Sequence, residues 1–390
     1  MTRDLKVPLQ ALRSEHRYRS RRILEGPQQP EQRIDGRSVL AFCSNDYLGL
    51  ANHPQVIQAL RRGADTYGVG AGAAHLVNGH TRAHHALEDE LAAFTGRDRA
   101  LLFSTGYMAN LGVAQALLRR GDRLFEDRLN HASLIDAAMI SGARLSRYRH
   151  ADAGDLARRL GRTVRLDDDR DTLISTDAVF SMDGNLAPLE TLASLADTHG
   201  CWLMADDAHG IGVLGQQGAG TLEYLGLTQA QVPILMGTLG KALGTSGAFV
   251  AGPDDLIETL IQSARTYIYT TAMPAAVAEA TRASLHIVQQ EPERRRHLRA
   301  LVEHFRDGVG QLGLELMEST TPIQPIVVGA SEKALQWSDA LLQQGLLVPA
   351  IRPPTVPQGR ARLRVTLSAT HSRAQVDRLL QALAGLVGTA

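Results

Sequence analysis

Five short β-rich runs, ALLFST (100–105), DTLISTDAVF (171–180), CWLMADD (201–207), VPILMGT (232–238) and GAFVAG (247–252), are separated by stretches with helical apolar spacing. Among them, HHALEDELAAFTG (84–96) and LETLASLADTHG (189–200) each stop at a glycine, the usual helix terminator. That alternation predicts an α/β body around a largely parallel sheet. A chain of 390 residues is long for one core. We expect an N-terminal helix and arm over 1–50, a large domain over 51–285 and a smaller α+β domain over 286–390. The last begins with the polar helix PERRRHLRALVEHFRDGVGQLG and continues with PIQPIVVG, a helix, LLVPAIRP, RARLRVTLS and a closing helix.

Basic and acidic residues balance at 41 each, which argues against nucleic acid or an anionic membrane as the main partner. Only Cys43 and Cys201 occur, without CxxC spacing, so neither a disulfide framework nor a cysteine metal site is expected and a reducing cytoplasm suits the chain. No apolar run reaches membrane-spanning length. The stretch LRSEHRYRSRR (12–22) is Arg-rich like a transit peptide, but Asp4, Glu15 and Glu25 speak against one.

Arginines number 38 and lysines three, yet one lysine stands inside the glycine-rich MGTLGKALGTSGA (236–248). Arginine carries surface charge equally well but does not form imines at neutral pH. Lys241 is thus a candidate Schiff-base amine, unless it is simply a survivor of an arginine-rich composition. Other strand ends bring further chemistry. In FSTGYMANLG (103–112), Gly106 opens a helix, and free amides at a helix start suit phosphate. DRLNHASLIDAA places His131 before a helical pattern, where it is a cap or a catalytic group. Ser181 and Asp183 follow a strand in DAVFSMDGNLAPL, a loop that turn formation also explains. LMADDAHGIG leaves Asp206 at the edge of an apolar strand, followed by His209. A carboxylate there needs a cation or donors, and a protonated pyridine nitrogen qualifies. Asp206 and Lys241 lie 35 residues apart (241 − 206), a strand–helix–strand separation that puts both at one crevice of an open sheet. Amine, acid, histidines and a phosphate-ready helix start are the groups that pyridoxal 5'-phosphate (PLP) requires.

Two motifs point elsewhere. GVGAGA (68–73) fits a loose nucleotide fingerprint but follows a helical pattern rather than a strand. HTRAHHALE (80–88) spaces His80 and His84 by one helical turn, with no evident third ligand, so no metal is expected.

The chain resembles the α-oxoamine synthases, fold-type I PLP enzymes with a large domain around a mostly parallel sheet and a smaller α+β C-terminal domain. The likeness runs from about residue 12 to the C-terminus, through SNDYLGL, GYMAN, NHASLIDA, VFSMDG, DDAHGIGVLG, TLGKALGTSGA, YIYTT and IRPPTVPQGRARLRVTLSATH in the family's order. It implies Lys241 as the Schiff-base lysine and Asp206 as partner of the pyridine nitrogen. His131 would stack on the ring, with His209 and Ser181 near its phenolic oxygen. Gly106, Tyr107 and Thr238 would hold the cofactor, and Thr270 and Thr271 would reach the phosphate of the neighbouring subunit in a homodimer. Arg352 would hold the amino acid carboxylate with Asn45 nearby, and Arg19 and Thr355 would contact the acyl substrate. His75 and the intact IRPPTVP are typical of members that condense L-alanine with a pimeloyl thioester, on coenzyme A or a carrier protein. Glycine-using sister enzymes are the alternative. Tyr107 and TDAVF depart from the subgroup's frequent phenylalanine and TEGVF.

Overall fold

A computed structural model of the chain describes residues 4–15, 17–164 and 169–387. After an exposed helix, Lys6–Ser14, strands β1 (Glu31–Ile34) and β2 (Arg37–Ala41) form a hairpin. The main sheet then takes β3 (Arg99–Phe103), β4 (Arg123–Asp127), β5 (Arg144–Tyr148), β6 (Thr172–Asp177), β7 (Trp202–Asp206), β8 (Ile234–Thr238) and β9 (Ala248–Gly252). Its order is β3-β9-β8-β7-β6-β4-β5, and only β9 runs antiparallel. The reason is chain length. A parallel crossover needs a dozen or more residues, and the short connection 239–247 allows only a hairpin return. Lys241 sits in that return.

Side chains of these strands alternate between two apolar layers. Leu102, Phe125, Ile174, Leu203 and Leu235 face one core, while Leu101, Phe103, Leu124, Leu173, Met204 and Met236 face the other. Both faces are covered by helices, which is why β7, β8 and β9 read as near-continuous apolar runs. Local signals set the helix ends. Pro54 opens Pro54–Tyr67, which stops at Gly68, and Gly96 and Gly200 end their helices in the left-handed conformation.

The C-terminal segment builds a second sheet in which β13 (Ala361–Thr366) pairs antiparallel with β10 (Ile323–Gly329) and with β12 (Ala350–Ile351). Helices Pro292–Gln311, Ser331–Gln343 and Arg373–Val387 accompany it. The first core continues into this segment through Leu298, Phe305, Ile323, Leu363 and Val365. The N-terminal hairpin is more than an arm. Its β2 pairs in parallel with β11 (Leu346–Leu347), so residues 31–41 complete a third small sheet.

Candidate active site

Strands β3, β4, β6, β7 and β8 end at the same edge, the place where an open α/β sheet collects ligands. There a cavity of about 200 Å3 is lined by Gly106, Tyr107, Asn110, His131, Asp177, Ser181, Asp206, His209, Thr238 and Lys241, among others. All eight residues expected here from strand ends and motifs thus meet: Gly106, Tyr107, His131, Ser181, Asp206, His209, Thr238 and Lys241.

Lys241 projects its Nζ to within 2.9 Å of His209 Nε2. Burial disfavours the ammonium and lowers its pKa to about 8, although Asp206 and Asp177 pull the other way. His209 is likewise held well below the usual imidazole range by burial, then by the Lys241 charge. Its Nδ1 meets Tyr47 Oη at 2.6 Å. The two contacts are linked: with Lys241 neutral, Nε2–H donates to the amine and Tyr47 donates to Nδ1; with Lys241 charged, both directions reverse.

Asp206 is 6% exposed. Its Oδ2 accepts from Asn110 Nδ2 (2.8 Å) and its Oδ1 from the Ala208 amide (3.1 Å). Beside it in register, on β6, stands Asp177. Burial and then the Asp206 charge raise the Asp177 pKa well above the ordinary value. Its Oδ2 accepts the His131 amide at 3.1 Å. His131 caps the helix Ala132–Ser141, its Nδ1 accepting from the Ser133 amide at 3.3 Å, and burial lowers its pKa. The proton of the neutral ring therefore lies on Nε2.

At the helix Gly106–Leu117, Thr105 Oγ1 accepts the Met108 amide, while the first amides have no partner one turn back and belong to Gly106 and Tyr107, which line the cavity. Thr238 Oγ1 donates to Gly247 O (3.1 Å) and accepts the Gly240 amide (3.3 Å), fixing the loop that carries Lys241. The Tyr107 hydroxyl donates to Asp136. Thr270 and Thr271 do not line this cavity; Thr271 bridges to Ala74 at the edge of the exposed loop 68–73. That loop follows a helix, so GVGAGA lacks the strand a dinucleotide site requires.

A second cavity, of about 650 Å3, joins Arg17, Tyr18, Arg19, Arg352, Pro353, Pro354 and Thr355. Arg19, Arg352 and Thr355 thus come together. Asn45 also lies against a further arginine. The guanidinium hydrogen-bonded to Asn45 Oδ1 (3.4 Å) belongs to Arg364, whose Nε also donates to Ser181 O at 2.7 Å. Arg364 is 6% exposed, and its charge is felt by Lys241, His209 and Tyr47. Arg364, Tyr47, Asn110 and Asp177 are absent from the motif-based set. The RARLR run on β13 was the available signal for the first.

These residues fit PLP. Among the described residues Asn110 Oδ1 and Asp177 Oδ1 are buried without hydrogen-bond partners, so the site calls for a ligand that brings donors. A depressed amine, a buried carboxylate and a helix start with open amides complete the donor set.

Known proteins are similar to this chain over nearly its whole length. The profile of the aminotransferase class I and II family matches residues 37–383. An 8-amino-7-oxononanoate synthase of Thioalkalivibrio sulfidiphilus is 70% identical over 381 residues, covering 98% of this chain and 96% of that protein. One from Cellvibrio japonicus is 59% identical over 98% of this chain and 95% of its own. Among solved structures, a Sphingomonas wittichii serine palmitoyltransferase superposes with a TM-score of 0.93 at 31% identity, covering 99% of this chain and 100% of that one. A serine palmitoyltransferase from S. paucimobilis, solved with PLP and myriocin bound, gives 0.92 at 30% identity with both chains fully covered. The chain belongs to the class I and II aminotransferase family, among its 8-amino-7-oxononanoate synthases, and has the fold-type I architecture of PLP-dependent transferases.

Proposed function

We propose that the chain condenses L-alanine with a pimeloyl thioester, giving 8-amino-7-oxononanoate, CO2 and the free thiol. It is a PLP-dependent acyltransferase of biotin biosynthesis, as its relatives' name implies. One observation carries the reading: a lysine amine with a pKa lowered to about 8 stands in the cavity that Asp206 closes from a neighbouring strand.

Bound PLP supplies an aldehyde carbon for amines and a ring that accepts the electron pair left when a proton leaves the α-carbon. Lys241 would hold it covalently, Asp206 would face its ring nitrogen, and the Gly106 and Tyr107 amides with Thr238 would hold its phosphate. The remaining work belongs to the chain. As a free, neutral amine Lys241 would take the α-proton of alanine, and His209 Nε2, 2.9 Å away, would steady it. Arg364 and Asn45 orient the alanine carboxylate, because they are the charged and polar pair bonded together beside Lys241. Arg19, Arg352 and Thr355 bind the acyl thioester in the second cavity. His131, with its proton on Nε2, is the donor to the carbonyl oxygen as CO2 departs; His209 is committed to Tyr47 and Lys241.

A homodimer with shared sites accounts for Thr270 and Thr271. They sit with Val69, 87% exposed, and the exposed Val77 and Tyr269 on linked loops, an apolar surface that a second copy would cover. We place the enzyme in the cytoplasm, in keeping with its two free thiols; no helix among the described residues is long and apolar enough to cross a membrane.

The test is product identification by mass spectrometry with pimeloyl-CoA and either L-alanine or glycine. 8-Amino-7-oxononanoate from alanine is the expected result. Turnover of glycine alone would transfer the chain to a sister activity.

A further inference from the structure

We infer that His80, His85 and Glu88 form a divalent-cation site, for zinc or a similar first-row ion, on the helix Arg82–Thr95, away from the Lys241 cavity. One ligand atom from each lies within 4.8 Å of the other two. The geometry follows from the helix. His85 and Glu88 are three residues apart and share a face, and His80, just before the Thr81 cap, folds back over the first turn. His80 Nε2 stands 3.8 Å from Glu88 Oε2, too long for a hydrogen bond. Two ligands of one tetrahedral zinc stand about 3.3 Å apart, so a small closure brings both into range.

The atoms behind these ligands aim them. His80 Nδ1 meets His75 Nδ1 at 3.0 Å, and a proton donated by His80 leaves its Nε2 lone pair toward Glu88. His75 is itself held by stacking on Tyr267, with ring centroids 5.0 Å apart. Glu88 Oε1 accepts the Leu102 amide at 2.9 Å, which turns Oε2 outward to His80. Burial pushes the Glu88 carboxyl up to about 8, and burial also lowers His80; Arg99 and Asp89 are the charges that bear on Glu88. A cation would take the Nε2 lone pair of His80 and the outward Oε2 of Glu88, with a ring nitrogen of His85 within reach of both.

His84, the helical-turn partner of His80 in the sequence, is excluded. Its Nδ1 accepts the Thr81 amide at 3.0 Å and its Nε2 meets Met273 O at 2.7 Å. His85 takes its place and is 60% exposed, which leaves an open side for water ligands. Two nitrogens and one oxygen favour zinc, cobalt or nickel over calcium or magnesium.

The experiment is calorimetric titration of chelator-treated, PLP-loaded enzyme with Zn2+. One ion per chain is expected, with affinity falling at least about tenfold in His85→Ala and in Glu88→Gln, which keeps an oxygen for the Leu102 amide. His75→Phe preserves the stacking but removes the orienting nitrogen, and is expected to weaken binding in the same direction. His304→Ala, remote from the cluster, serves as the control and binds as wild type. Absence of zinc binding in the wild type, or equal affinity in His85→Ala and Glu88→Gln, overturns the site.

Discussion

A buried ammonium loses hydration that nearby carboxylates only partly replace, and this holds Lys241 at about 8 despite Asp206 and Asp177. Below that pH the amine is protonated and inert; above it the lone pair is free. Acylation of Lys241 in PLP-free protein, followed by peptide mass spectrometry, should therefore rise with pH and reach half its maximum near 8. A half-point above pH 10 would remove the burial argument. Arg364 makes a second prediction at this scale. If it anchors alanine, Arg364→Ala should raise the KM for alanine about 30-fold, the equivalent of roughly 2 kcal/mol for an unpaired charged group. Arg352→Ala should instead raise the KM for the thioester and leave that for alanine within about threefold. The reverse pattern would exchange the two roles. Lys241, Asp206 and His131 were legible because each stands at or just after a strand end, where local pattern and location coincide. Tyr47 was not, since its partner His209 lies 162 residues away and its ring otherwise reads as core. Asn110 is hidden the same way: only the fold shows that its amide bonds Asp206.

At the scale of elements, apolar runs buried on both faces announced β3, β6, β7, β8 and β9. β4 and β5 did not announce themselves. β4 reads RLFED and is buried throughout, its Glu126 accepting from Ser175 and its Asp127 from the Leu129 amide, so polar residues occupy positions where a hydropathy reading expects solvent. β5 is an edge strand with two arginines exposed. The hairpin β1–β2 carried a usable signal. Asp35 and Gly36, with φ of 49° and 77°, form the turn that an Asp-Gly pair favours. Helix packing gives a prediction with two signs. A Cβ at Gly63 would stand 2.8 Å from the Ala276 backbone, where the helices Pro54–Tyr67 and Ala275–Gln290 cross. Gly63→Ala should cost about 1–3 kcal/mol as the helices are forced apart. Gly161, inside the helix Ala153–Thr163, has nothing within 4 Å of such a Cβ, and Gly161→Ala should stabilise by about 0.5–1 kcal/mol. Thermal unfolding of the two variants should shift in opposite directions.

For the molecule as a whole, β13 fastens the C-terminal segment to the edge of the main sheet. Arg362 and Arg364, two apart on one strand, point to the same side. Arg362 pairs with Asp183 and donates to Met182 O at 3.3 Å, while Arg364 donates to Ser181 O. One loop after β6 therefore receives both guanidinium groups, so the stability of the molecule and the placement of Arg364, the proposed alanine anchor, share a support. The Arg362–Asp183 pair is almost fully buried, at 2% and 8% side-chain exposure. Removing one member leaves the other's charge uncompensated, and Asp183→Ala should cost about 3–5 kcal/mol in urea unfolding. Because the same loop holds Ser181 against Arg364, Asp183→Ala should also raise the KM for alanine with little change for the thioester, whose proposed groove is lined by none of these residues. A destabilised variant with both KM values unchanged would mean that Arg362 serves stability alone, and that the main-sheet edge holds Arg364 in place without help from its neighbour on β13.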